Sequence, residues 1–113
     1  MHELGIATDL LAMVEEQAER SGMGTVVRVV IELGVLAPID AEALGLAFEI
    51  ARGEGAARAA ELVIDRVAAE ATCRDCGAIS VTNDALSLCP SCQGPRLTLR
   101  GGRTLQLIAI EGT

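Results

Sequence analysis

Four cysteines carry the most specific chemistry in the chain. They stand as Cys73-Arg74-Asp75-Cys76 and Cys89-Pro90-Ser91-Cys92, with twelve residues between the pairs. A Cys-x-x-Cys turn brings both sulfurs to one side of a tight loop, where backbone N–H groups can bond them. Two such turns can close four thiolates around one Zn²⁺ at about 2.3 Å per bond. Four ligands saturate a tetrahedral ion and leave no open position for water or substrate, so the expected zinc is structural. Two disulfides are the competing arrangement, but nothing in the sequence points to an oxidising compartment. Iron also suits paired Cys-x-x-Cys turns, as in a rubredoxin-like electron carrier. Colour and metal content separate that case from zinc.

The only histidine is His2. A chain that begins Met-His presents its terminal amine, the His2 backbone nitrogen and the imidazole Nδ1 to one metal. The amine and amide close a five-membered chelate ring, and the amide and imidazole close a six-membered one. With the amide deprotonated, the arrangement is planar and suits Ni(II) or Cu(II). The bland alternative is a frayed terminus. Histidine is also a large second residue, so Met1 is expected to survive processing. With one histidine, no G-x-S-x-G and no phosphate-cradling glycine loop, the chain offers no acid/base or nucleophile set. It is not expected to be an enzyme.

Composition narrows the partners. The 113 residues suit one domain with a small appendage, and half are apolar, enough for a core without disulfides. Phe48 is the only aromatic residue, so that core must be built from Ala, Val, Leu and Ile. Nine arginines against sixteen acids give a net charge of -7. That balance argues against phosphate-backbone binding and against attachment to anionic lipid. The most apolar stretch, residues 26–33, contains Arg28 and Glu32, so no membrane span is expected. The start lacks the basic flank of a secretion signal, which makes the cytoplasm the expected location.

These groups must be held by a small α+β body. Leu4, Ala7, Leu11, Val14 and Ala18, widened by Leu10, form the stripe of an amphipathic helix over residues 4–20. Ser21-Gly22-Met23-Gly24 is its stop. Residues 25–33 read as a strand, with Val27, Val29, Ile31 and Leu33 on one face and Arg28 and Glu32 on the other. Asp40 is placed as N-cap of a second helix, residues 41–52, buried through Leu44, Ala47, Phe48 and Ala51. Residues 61–71 form a second strand, its alternation blurred by Arg66 and three alanines, and residues 103–111 a last one. Gly101-Gly102 is a hairpin signal joining residues 97–100 to that last strand. The expected fold is α+β, a small three-stranded sheet with two helices and an inserted four-cysteine, zinc-ribbon-like module.

Taken together, Met1-His2-Glu3-Leu4, the Gly34-x-Leu36 turn leading to Asp40, Glu61-Leu62 running into Cys73-x-x-Cys76-Gly77, Cys89-Pro90-x-Cys92 and the closing Leu105–Glu111 segment resemble the HypA/HybF nickel metallochaperones of NiFe-hydrogenase maturation. The resemblance spans nearly the whole chain. One departure is Gln93, where the family usually has glycine directly after its last cysteine; glutamine is sterically disfavoured at positive φ. The resemblance implies nickel carried at the terminus by Met1 and His2, with Glu3 assisting. It implies a role for Asp40 too, as a ligand or as an acceptor from the imidazole. The bland alternatives are an acid at a helix start for Glu3 and an N-cap for Asp40. It further implies a nickel-binding domain over residues 1–70 and 103–113 and a zinc-binding domain over residues 71–102. The implied partners are a nickel-handling GTPase, the hydrogenase large subunit and, for some members, urease accessory proteins. A rival class is a zinc-ribbon protein-interaction or nucleic-acid-binding module without nickel function. The acidic charge and the absence of stacking aromatics count against its nucleic-acid form.

Overall fold

The structure, a computed structural model, describes residues 2–113. Its elements are α1 (Glu3–Arg20), β1 (Val26–Gly34), α2 (Ala41–Ala51), β2 (Glu61–Val67), β3 (Ala69–Cys73), β4 (Ile79–Thr82), β5 (Leu97–Arg100) and β6 (Leu105–Gly112). They form two compact units. One comprises residues 1–31, 39–65 and 106–113, and the other residues 32–38 and 66–105.

In the first unit α1 packs on α2. The buried side of α1 is Ala7, Leu10, Leu11, Val14 and Ala18, and α2 answers with Leu44, Ala47 and Phe48. Phe48, Leu44 and Val14 are fully excluded from water, each such side chain contributing about 1.5–3 kcal/mol. Leu4, expected in this stripe, is instead 50% exposed, and Glu3 takes the inward position at the first turn. The glutamate can turn inward because a backbone N–H meets its carboxylate there. Helix α1 ends where expected. Gly22 adopts φ +68, and the Gly22 and Met23 N–H groups bond back to the Glu19 and Ala18 carbonyls. The Glu15 carboxylate accepts from Ala56 and Ala57 N–H, fixing the irregular segment after α2.

The sheet order β2-β1-β6 gives the expected three strands. On its exposed face Arg28 of β1 reaches Glu61 of β2 at 3.4 Å and Glu111 of β6 at 2.9 Å. The alternation along β1 slips at its start. Val26 is buried and Val27 is 53% exposed, after which Val29, Ile31 and Leu33 face inward as expected. Val26 is tied there by its N–H to the Ala56 carbonyl, which shifts the strand's first residue out of phase.

The second unit contains a sheet that the sequence pattern did not separate. The expected strand 61–71 breaks at Ala68 into β2 and β3, and β3 is the centre of an antiparallel sheet ordered β4-β3-β5. Ala69 and Ala71 are buried on its inner face, with Cys73 continuing that side. The alanines that blurred the pattern are therefore the small inner side chains of this sheet. The expected hairpin across Gly101-Gly102 does not form, because β5 pairs with β3 and β6 with β1. The two glycines still adopt φ +75 and +71. They serve a close backbone passage instead of a hairpin turn. A Cβ on Gly102 would meet Ala69 at 3.0 Å, and one on Gly34 would meet the Gly102 carbonyl at 2.2 Å. Leu36 N–H also donates to the Gly102 carbonyl.

Candidate metal centre

The end of β3 delivers Cys73 into the first of two matching turns. Cys73 N–H donates to the Ala78 carbonyl at 2.9 Å, and Gly77 N–H donates to the Cys73 carbonyl at 2.9 Å. The second turn repeats the pattern. Cys89 N–H donates to the Gly94 carbonyl at 2.9 Å, and Gln93 N–H to the Cys89 carbonyl at 2.7 Å. The fifth position of each turn needs a left-handed backbone, supplied by Gly77 at φ +77 and by Gln93 at φ +62. The segment before the second turn is pinned by Thr82, whose hydroxyl contacts Ser87 and donates to the Asp84 carbonyl.

The turns place four sulfurs within 4.8 Å of one another. Cys73–Cys92 and Cys76–Cys89 are each 3.6 Å apart, well beyond the ~2.05 Å of a sulfur–sulfur bond. Tetrahedral ligation at about 2.3 Å requires sulfurs about 3.8 Å apart, so this shell matches one metal ion. Cys73 and Cys89 are buried while Cys76 and Cys92 face outward. The backbone around the turns biases the sulfurs unequally. Cys89 is lowered to about 6, chiefly by the Cys92 N–H, and Cys73 is lowered by the Cys76 N–H, which lies 3.4 Å from its Sγ. Gly94 N–H acts to lower Cys92, but the neighbouring sulfurs, Cys73 foremost, and burial outweigh it and push Cys92 up to about 12. At Cys76 the Ala78 N–H likewise acts downward, but the Cys89 and Cys73 sulfurs prevail and raise it.

A second set of polar groups meets in the first unit. Asp40 caps α2, with its Oδ1 accepting from Ala43 N–H at 3.0 Å, as the sequence indicated. The Asp40 N–H donates to Glu3 Oε2 at 3.1 Å, joining the starts of α1 and α2 across 37 positions of sequence. His2 Nε2 lies 3.8 Å from the same Glu3 oxygen, and the His2 side chain is 60% exposed. His2, Glu3 and Asp40 are thus linked through one carboxylate. Met1, the remaining expected ligand, lies outside the described residues. What sequence reasoning missed is the amide link from Asp40 to Glu3. No spacing rule finds it, because it depends on how two helix starts pack.

A family model described as hydrogenase/urease nickel incorporation, metallochaperone, matches residues 1–112. The chain belongs to the HypA family. Among curated relatives, a hydrogenase maturation factor HypA of Rhodobacter capsulatus is 37% identical over 112 residues, 98% of each chain. A hydrogenase maturation factor HybF of Klebsiella pneumoniae is 34% identical over 99% of each chain. Among solved structures, the solution structure of the Ni metallochaperone HypA from Helicobacter pylori aligns at TM-score 0.67. It shares 27% identity and covers 99% of this chain and 97% of that one. The expected α+β fold and the HypA/HybF resemblance both hold. The family is one of maturation factors, and here it comes with a cysteine shell able to hold a metal ion. Among the described residues, no helix is long and apolar enough to cross a membrane.

Proposed function

We propose that this HypA-family chain binds Ni(II) at its N-terminus and delivers it during maturation of NiFe-hydrogenase, and of urease where one is served. Met1 supplies the terminal amine and His2 its amide nitrogen and imidazole. Glu3 and Asp40 complete the site, the first by placing the second and both by adding negative charge beside the cation. The observation that carries this reading is the Glu3 carboxylate, which lies 3.8 Å from the His2 imidazole and accepts the Asp40 N–H at 3.1 Å.

The four cysteines hold structural Zn²⁺ in the same reading. Thiolate donors suit zinc, and a saturated shell contributes folding energy instead of cargo exchange. The nickel-binding domain takes residues 1–70 and 103–113, and the zinc-binding domain residues 71–102. Delivery passes to or from a nickel-handling GTPase and on to the hydrogenase large subunit in the cytoplasm. A shallow terminal site with few ligands suits that handover, since release needs only local rearrangement. Micromolar affinity, about -8 kcal/mol, is tight enough to load and still open to competition by a better site.

The test is calorimetry with three forms of the protein: native terminus, one extra N-terminal residue, and His2→Ala. An extra residue converts the Met1 amine into a peptide nitrogen and breaks both chelate rings. Only the native form is expected to bind one nickel, with zinc content equal in all three. Equal nickel affinity in the extended form removes Met1 from the site. Equal affinity in His2→Ala as well overturns the proposal.

A further inference from the structure

The charge of the chain is divided unevenly between its two units. Residues 1–31, 39–65 and 106–113 carry twelve acids against four arginines, whereas residues 32–38 and 66–105 carry four acids against five arginines. All of the net negative charge therefore sits in the unit that holds His2. Among the described residues, that same unit has an open apolar groove of about 230 Å³, lined by Glu3 and Leu4 of α1 and by Ala43, Leu46, Ala47 and Ile50 of α2. Leu4, Leu46 and Ile50 are 50%, 59% and 70% exposed, which is unusual for three large aliphatic side chains sharing one groove. Glu42 and Glu49 are exposed beside them on α2, at i-4 and i+3 from Leu46, and the only basic residue at that helix is Arg52 at its C-cap, whose guanidinium donates to the Ala60 carbonyl.

We infer that this groove docks a cationic amphipathic helix of a partner protein, laid between α1 and α2 next to His2. The inference rests on the nickel-delivery reading only in its purpose, since the groove and its charge exist without metal. The occupant's chemistry follows from the lining. Walls that are aliphatic except for Glu3 at one end, whose carboxylate already accepts the Asp40 N–H, suit the apolar stripe of a helix, read by anchors at i, i+3, i+4 and i+7, better than a small polar ligand. The eleven residues of α2 span about 16 Å, the length of three helical turns in an occupant. Lysines or arginines flanking that stripe would face Glu42 and Glu49, and the charge of the whole unit would steer their approach. A helix seated there lies against the first turn of α1. It would therefore bring the partner's own metal-binding groups within reach of the terminal site.

The experiment uses the zinc-loaded full chain with its native terminus, labelled for heteronuclear NMR. The probe is a synthetic 18-residue amphipathic helix of leucine and lysine, with a leucine and glutamate peptide of the same apolar stripe as counterpart. The lysine peptide is expected to shift the amides of Leu4, Ala43, Leu46 and Ile50, and the glutamate peptide to leave them unmoved. The double variant Leu46→Ser, Ile50→Ser should weaken lysine-peptide binding about tenfold or more. Glu42→Gln with Glu49→Gln should weaken it less and flatten its salt dependence. Undiminished binding to the serine variant means the peptide is merely drawn to an acidic surface, and overturns the inference. So does equal binding of both peptides, or a shift pattern centred away from α2. Concentration-dependent shifts at the groove without peptide would make a second copy of the chain the occupant, which also overturns it. Nickel titration of the same sample keeps the two proposals apart. Nickel bound without peptide docking refutes the groove alone, while peptide docking without nickel binding leaves the groove standing and removes the delivery reading.

Discussion

The sharpest quantitative test concerns Gln93, the residue after the last cysteine. It occupies φ +62 in a turn whose counterpart places Gly77 at φ +77, and the two turns share the same pair of backbone hydrogen bonds. A Cβ in the left-handed region costs about 1–2 kcal/mol, and glycine avoids this but loses about 0.5–1 kcal/mol of extra chain entropy on ordering. Gln93→Gly should therefore stabilise the second turn by about 0.5–1 kcal/mol. Because the turn must form for all four sulfurs to converge, that gain appears in zinc affinity, as a rise of about twofold to fivefold. Gly77→Ala makes the opposite change at the matching position and should lower affinity by a similar factor. Both are read by competition with a chromophoric chelator at neutral pH, with backbone shifts confirming that each turn still forms. If Gly77→Ala weakens zinc binding but Gln93→Gly does not strengthen it, the left-handed glutamine is not a cost and the argument fails. If neither changes affinity, the turns are not linked to the metal at all.

Three further expectations concern the remaining groups. The purified protein should hold about one zinc per chain, and Cys76→Ala with Cys89→Ala should lose it and loosen the sheet β4-β3-β5 while α1 and α2 persist by circular dichroism; full zinc content in that variant sinks the assignment. Nickel affinity should fall as pH drops from about 8 to 6, because protons compete with the metal for an imidazole and a terminal amine; a flat calorimetric titration across that range refutes the amine–imidazole chelate. Glu3→Ala should cost about 1–3 kcal/mol in chemical denaturation, since it leaves the Asp40 N–H without the carboxylate it meets at 3.1 Å; an unchanged midpoint shows that this bond contributes nothing.

Much of the fold was legible because its signals are local. The stripe of α1, the Gly22 stop and the Asp40 cap each depend on residues within one or two turns of helix. The second sheet was not legible, for the opposite reason. Ala69 and Ala71 are too small to print an alternation, and the Gly101-Gly102 pair has the backbone angles of a turn without making one. Only the register, Ala71 opposite both Ser80 and Leu99, reveals that β3 lies between β4 and β5, the latter a strand that the glycine pair suggested would join β6. The cysteine shell escaped this difficulty because its spacing alone indicates which four sulfurs come together.

Asp40 is where legibility failed in the most instructive way. The sequence offered two roles, helix cap or nickel-site acid, as if they excluded each other. The geometry makes them compatible, since capping uses Oδ1 and the link to Glu3 uses the backbone N–H. A cap fixes the carboxylate at the start of α2, and the Glu3 bond fixes the start of α1 against it. His2, 3.8 Å from the same Glu3 oxygen, thereby sits beside a carboxylate that is already held in place. This also explains why a carboxylate with pocket-lining neighbours was put at the first buried position of α1 in place of Leu4. The inward glutamate gives up about 1.5–3 kcal/mol of apolar burial, and in return its bond to the Asp40 N–H sets the distance between the two helix starts.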